Sequence, residues 1–127
     1  MPITFQLDPQ HSVLLIRATG IVTFEEIIGF LREKDQAGAS HLPQLFDATD
    51  VQLDLSIQDL HRIAGEARRF LHSTKMGRIA VVTNGFYFQA IATAYAAITR
   101  QENPEFRIFK NLTLAMNWLG LTPPDSD

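Results

Sequence analysis

The spacing of hydrophobic residues changes several times along the chain, and each change marks a new element of secondary structure. Apolar and polar residues alternate over Ile3–Asp8, as they do in a strand with one buried face. Residues 13–18 are apolar almost throughout and follow after a short turn at residues 9–12. The chain is therefore predicted to begin with two antiparallel strands joined as a hairpin.

The first helix is predicted between Thr23 and Gly38. Thr23 and Glu26 have the spacing of a capping box, in which each side chain accepts from the other residue's backbone N–H. The apolar positions recur at helical intervals and are Phe24, Ile27, Ile28 and Leu31. The opposite, polar side is predicted to carry Arg32, Glu33 and Lys34.

A third strand and a second helix follow. Residues 44–49 are predicted to form a short strand, and residues 50–55 the loop that leaves it. Ser56 and Asp59 then have N-cap and N3 spacing, which places the start of a helix at Ser56. The buried stripe of this helix is predicted at Ile57, Leu60, Ala64, Ala67 and Leu71.

The rest of the chain repeats the alternation of strand and helix. Ile79–Val82 is a β-branched run typical of a strand buried on both faces, and residues 86–101 are predicted to form a helix that is apolar nearly all round. Phe106–Phe109 is a last strand, after which Asn111 caps a final helix that stops at Gly120. Residues 121–127 are expected to be a frayed tail.

This order predicts an α/β fold. A mostly parallel sheet of about five strands, with the N-terminal antiparallel hairpin at one end, would be covered on both faces by about four helices. The chain shows no internal repeat or linker, so residues 1–120 are expected to be a single domain.

Composition and charge narrow the possible partners. Hydrophobic residues make up 46% of the 127 residues, which is ordinary for a globular domain and argues against disorder. A net charge of −3 lacks the basic excess that nucleic-acid binding requires. The N-terminus does not have the pattern of a signal peptide, and the longest apolar stretch, residues 86–98, is too short to span a bilayer; a cytoplasmic protein is therefore expected.

Three strings in this order resemble the bacterial SpoIIAA-like (STAS-like) superfamily. They are residues 19–26, Thr-Gly-Ile-Val-Thr-Phe-Glu-Glu; residues 46–51, Phe-Asp-Ala-Thr-Asp-Val; and residues 109–119, in which Phe-Lys is followed by Leu112, Ala115, Trp118 and Leu119. The resemblance extends from about residue 3 to residue 120. It implies the STAS-like fold and a role in binding, since members include phosphorylated regulators that bind a kinase, and proteins that associate with membranes or apolar ligands.

The resemblance also makes Ser56 a candidate phosphorylation site. Anti-sigma-factor antagonists carry a phosphorylated serine at the start of the helix after the third strand, in a string similar to Asp-Ser-Ser-Gly, and Ser56 stands at about that place. Here the string is Asp54-Leu55-Ser56-Ile57, without the second serine or the glycine. Ser56 is alternatively explained in full as a helix cap.

The apolar helix from Phe86 is the most informative segment. Some of its side chains are expected to face the sheet, and others would need a second covering surface. The candidates for an interface or for contact with an apolar ligand are Phe86, Tyr87, Phe88, Ile91, Tyr95 and Ile98. The favoured hypothesis is a non-enzymatic regulatory module that binds a protein partner or forms a homodimer; the alternative is a small carrier of apolar or lipid-like ligands.

Two further hypotheses concern charged residues. Asp47, Asp50 and Asp54 lie near the carboxyl end of a strand, where a magnesium or enzyme site could form, although the chain contains no catalytic motif and no metal or cofactor is expected. A basic cluster around the end of the second helix is expected to be a solvated face that offsets the negative end of the helix dipole; the alternative is a docking surface for an acidic protein or a membrane surface. Its members are Arg68, Arg69, Lys75 and Arg78.

Overall fold

The computed structural model describes residues 3–39, 41–70, 77–98, 100 and 105–121, without the side chains of Ala67, Arg68 and Phe70. Within these residues the chain forms five strands and four helices. The strands are β1 (Ile3–Asp8), β2 (Val13–Thr23), β3 (Gln44–Asp54), β4 (Ile79–Val82) and β5 (Phe106–Phe109). The helices are α1 (Phe24–Gln36), α2 (Ile57–Phe70), α3 (Phe86–Ile98) and α4 (Leu112–Leu119).

The sheet confirms the predicted fold class. Its strands are arranged in the order β1-β2-β3-β4-β5; β1 is antiparallel to β2, and the other pairs are parallel. Strands β2 to β5 are neighbours in chain order, and each parallel pair is joined by a crossover of the same hand. All the crossover helices therefore lie on the same face of the sheet. Helices α1, α2 and α3 accordingly pack on one face, and α4 packs on the other.

The two faces of the sheet are distinguished by alternate residues of its central strands. Phe46 of β3 and Val81 of β4 belong to the core beneath the three crossover helices, whereas Leu45 and Ala80 pack against α4. All four residues of β4 are buried, as the β-branched run predicted. The main core of the protein therefore lies on the crowded face, between the sheet and α1, α2 and α3.

Strands β2 and β3 are longer than predicted. The segment 50–55 was expected to be a loop, but β3 continues to Asp54 and pairs with β2 up to Thr23. The register shifts between Arg17 and Thr19, which pair with Asp47 and Asp50, so β3 contains one extra residue in a bulge. After the bulge, Val51 and Leu53 pack against the core, and Gln52 between them is exposed.

The helix ends agree with the predicted caps, but the predicted stripe of α2 is partly wrong. Thr23 and Glu26 form the capping box of α1, Asn111 caps α4, and Gly120 ends α4 in the left-handed region with φ of 79°. In α2, Leu60 and Ala64 are buried as predicted, but Ile57 is 62% exposed because it lies at the first position of α2, at the edge of the core. Ala67, Leu71 and the tail from residue 122 are outside the described side chains.

Candidate functional site

A cavity of about 130 Å³ lies in the core between the sheet and the three crossover helices. All five strands and α1, α2 and α3 contribute to its wall. The wall is almost entirely apolar, and its residues include Val22, Phe46, Val81, Ile27, Ile63 and Ile91. An apolar void of this size is large enough for a small apolar molecule, and apolar cavities hold water poorly.

Aromatic rings form part of the cavity wall. The ring centroid of Phe46 lies 6.1 Å from that of Phe30 and 6.3 Å from that of Phe88, so one strand residue links α1 to α3. Tyr95 and Phe106 form a second ring pair, with their centroids 5.9 Å apart. Such ring pairs add about 0.5–1.5 kcal/mol each beyond their buried area, and they hold the helices in position around the cavity.

The polar groups of the wall include a buried pair, Lys34 of α1 and Gln44 of β3. Lys34 is 3% exposed and Gln44 is 1% exposed. The Lys34 Nζ donates to Gln44 Oε1 over 3.1 Å and lies 5.1 Å from the centre of the Phe30 ring. Among the described residues, no carboxylate forms an ion pair with Lys34.

The protonation of Lys34 reflects this environment. Burial lowers the pKa of Lys34 to about 8, and the nearby Asp35 carboxylate opposes that effect by favouring the charged form. At pH 7 the ammonium ion still predominates, by about ten to one. The cavity wall therefore carries a positive charge whose protein hydrogen-bond partner is a neutral amide.

The predicted position of Lys34 on the polar side of α1 is wrong. The residue is three positions after Leu31 and seven after Ile27, so helical periodicity places it on the apolar stripe. Gln44 is likewise two positions before Phe46 and shares its face of β3. Both spacings were available in the sequence, but the charge of Lys34 led to the prediction of an exposed side chain, and no face was predicted for Gln44.

The six candidate residues of α3 divide into two sets. Phe88, Ile91 and Tyr95 face inward and line the cavity. Phe86 and Tyr87 are 88% and 54% exposed, and Ile98 is half-buried. Three of the six candidate residues therefore belong to the cavity wall, and two, Phe86 and Tyr87, belong to the exposed surface.

Phe86 and Tyr87 of α3, together with Ile57 of α2, define a surface that we call the carboxyl-edge patch; Ile98 lies at the other end of α3 and is not part of it. All three residues are exposed and lie at the starts of α2 and α3, beyond the carboxyl ends of β3 and β4. The Tyr87 hydroxyl donates to the Leu55 carbonyl over 3.0 Å, which joins the start of α3 to the segment before α2. This hydrogen bond links Tyr87 of the patch to the residue two positions before Ile57.

Ser56 forms the predicted cap of α2. The Asp59 N–H donates to Ser56 Oγ over 3.1 Å, and the Ser56 N–H donates to Asp59 Oδ2 over 3.1 Å. The side chain is exposed and lies beside the carboxyl-edge patch in sequence. The cap accounts for the serine structurally, and its phosphorylation remains a prediction.

The three aspartates predicted near the third strand do not form a common site. Asp47 Oδ1 accepts from Thr49 N–H and Thr49 Oγ1, at 3.1 and 2.7 Å, and Asp50 pairs with Arg17 at 3.3 Å. Asp54 ends β3 and is exposed. Across the part of the chain that the structure describes, no group of three or more acidic or histidine side chains could hold a metal ion.

Two members of the predicted basic cluster are described, and each is paired with a carboxylate. Arg69 lies 3.1 Å from Glu66, and Arg78 lies 3.0 Å from Glu105 and also donates to the Trp118 carbonyl. The Arg68 side chain and Lys75 lie outside the described residues. The described arginines therefore contribute little unpaired positive charge to a docking surface.

Comparison with known structures agrees with the fold. An uncharacterised protein of the DUF3478 family with a SpoIIAA-like fold, from Shewanella loihica PV-4, is 19% identical, with a TM-score of 0.62 over 92% of this chain and 93% of that chain. The phosphorylated form of SpoIIAA, a cell fate determinant of Bacillus, is 12% identical, with a TM-score of 0.50 over 91% of this chain and 99% of that one. No family model and no curated protein sequence matches the chain.

These likenesses confirm that the chain has a SpoIIAA-like, STAS-like fold. Since both identities are low, the function has to be argued from the residues of this chain. In the described part of the chain, none of the helices has the length and apolar character needed to cross a membrane.

Proposed function

We propose that the chain is a non-enzymatic binding module that holds a small apolar molecule in its core cavity. The observation that carries the proposal is the cavity of about 130 Å³ beneath α1, α2 and α3. An engineered cavity of about 150 Å³ with a similar lining binds benzene, so a molecule with about six carbon atoms fits this space.

The energetic cost of the cavity supports its use as a binding site. In core-truncation mutants an empty cavity costs roughly 24 cal/mol per Å³, so an enclosed empty space of about 130 Å³ would cost roughly 3 kcal/mol. That is a large fraction of the 5–15 kcal/mol by which domains are typically stable. A ligand that restores the missing contacts would recover part of this free energy.

A titration with 1-hexanol, followed by two-dimensional amide NMR, tests the proposal. We expect saturable binding that shifts the resonances of cavity residues such as Ile63, Val81 and Ile91. The substitution Ala92→Leu introduces a larger side chain from α3 into the cavity, because Ala92 is buried and lines it. Excluding two or three methylene groups of the ligand, at about 0.8 kcal/mol each, weakens binding by roughly 10- to 60-fold.

The matched control is Ala90→Leu, the same substitution at an exposed position of the same helix. This variant is expected to bind 1-hexanol as the unmodified chain does. The amide spectra also report whether each variant keeps its fold. An unmodified protein that gives no saturable shifts, or an Ala92→Leu variant that binds equally well, contradicts the proposal.

A second candidate function is protein binding through the carboxyl-edge patch, in which two copies of the chain would form a homodimer. The exposed ring of Phe86 supports it, since large aromatic side chains in exposed patches are enriched at interfaces. The regulatory role that SpoIIAA-type antagonists suggest would act through such contacts. The two functions use different residues of α3 and are compatible with each other.

A further inference from the structure

We propose that the apolar ligand carries a carboxylate, and that Lys34 Nζ binds this carboxylate inside the cavity. The inference rests on the proposed function and specifies the chemical class of the ligand. It follows from the position of a nearly fully buried amine in the wall of a largely apolar cavity.

The hydrogen bonding of Lys34 leaves capacity for a ligand. An ammonium group has three N–H donors, and among the described residues its one hydrogen-bond acceptor is Gln44 Oε1. Burying a charge is costly unless it is paired, and no carboxylate of the described residues forms that pair. A ligand carboxylate would supply both the missing acceptor and the opposite charge.

The polar side chains of the wall lie toward one end of β3. Gln44 is the first residue of β3, whereas Leu53 and Leu55, also in the wall, lie at and just after the opposite end of this strand. The cavity wall thus has a polar end and an apolar end. A short linear carboxylate would place its head at Lys34 and its tail along β3.

The same geometry disfavours a phosphate head. A dianionic phosphate has three terminal oxygens and usually requires several donors or an arginine fork. Lys34 is the only cation among the described residues of the wall. One amine matches the single charge of a carboxylate.

Comparing hexanoate with 1-hexanol in NMR titrations tests the inference. The two probes have the same tail, and they differ in the charged head. Lys34→Met removes the amine, and the buried position should tolerate this apolar replacement of similar length. Lys110→Met is the matched control, because it makes the same change at an exposed lysine.

We expect the unmodified chain and Lys110→Met to bind hexanoate about equally. Loss of a charge-assisted hydrogen bond should weaken hexanoate binding to Lys34→Met by about 10- to 100-fold, while 1-hexanol binding changes little. If 1-hexanol binds but hexanoate does not, or Lys34→Met binds hexanoate undiminished, the carboxylate inference is wrong and the cavity remains a ligand site. If neither probe binds the unmodified chain, the proposed function fails together with the inference.

Discussion

At the residue scale, Lys34 combines features that make a buried amine tolerable. Its Nζ donates to Gln44 Oε1 and lies near the Phe30 ring, a favourable cation–π arrangement. It also belongs to the last turn of α1, where the carbonyl end of the helix favours a positive charge. These contacts suit a charged amine, and the nearby Asp35 carboxylate favours the ammonium form, which opposes the effect of burial on the pKa of Lys34.

The shifted pKa of Lys34 predicts a pH-dependent stability. Burial lowers the pKa from its ordinary value of 10.5 to about 8 in the folded chain, so the unfolded chain holds the proton more tightly. Folding therefore releases a proton between about pH 8 and 10.5, and the free energy of unfolding gains about 3 kcal/mol from this residue across that window. Below pH 8, both states are protonated and the full cost of burying the charge remains.

Urea denaturation at several pH values measures this contribution. Subtracting the free energy of unfolding of Lys34→Met from that of the unmodified chain isolates this contribution, because the other titrating groups are common to both proteins. We expect this difference to increase as the pH rises from 8 to 10.5, because the unmodified chain becomes more stable relative to the variant. A difference that stays constant over this range would show that the amine is hydrated in the folded state.

At the element scale, the ends of the helices follow local sequence rules. The capping boxes at Thr23 and Ser56 and the caps at Asn111 and Gly120 depend on side chains within three residues of the helix end, and each was predicted from spacing. Such contacts form wherever the helix lies in the fold. They therefore require no knowledge of the tertiary structure.

The cap at Ser56 gives a prediction for stability. Ser56→Ala removes the acceptor for the Asp59 N–H and is expected to lower the free energy of unfolding by about 1 kcal/mol. Ser56→Asn keeps a capping acceptor and should restore most of that loss. Urea denaturation of the three proteins measures both effects, and an equal loss in the two variants would mean that the capping hydrogen bond contributes nothing.

Elements that depend on tertiary contacts were predicted less well. Residues 50–54 alternate between polar and apolar side chains, as they do in a strand, but the preceding string Asp-Ala-Thr-Asp at residues 47–50 resembles a turn. Strand β3 continues past this string through a bulge, and the bulge is defined only by the pairing of β3 with β2. Lys34 and Ile57 were misplaced for a related reason. Residue type and helical spacing disagree about Lys34, and the exposure of Ile57 depends on where the core ends.

At the scale of the whole molecule, the order of the strands determines what α3 does. Sequence alone showed that α3 is apolar nearly all round, but it could not divide its side chains between core and surface. Strand order places α3 over β3, β4 and β5 on the same face as α1 and α2. Phe88, Ile91 and Tyr95 consequently reach the cavity, whereas Phe86 and Tyr87 remain at the carboxyl edge.

The outward residues lead to a prediction about assembly. If the carboxyl-edge patch is a homodimer interface, the unmodified chain should sediment as a dimer in analytical ultracentrifugation, and Phe86→Ser should weaken dimerisation by about 100- to 10,000-fold. Each two-fold dimer loses two large apolar side chains, one from each subunit, at about 1.5–3 kcal/mol per side chain. Leu114→Ser is the matched control, because Leu114 is 52% exposed on α4, which covers the opposite face of the sheet. This control should remain a dimer, and Phe86→Ser should keep its fold, since its ring is almost fully exposed. A chain that is monomeric at tens of micromolar would contradict an interface at this patch. A dimer that both substitutions weaken equally would contradict it too. In either case the cavity would be the one remaining candidate site of the two.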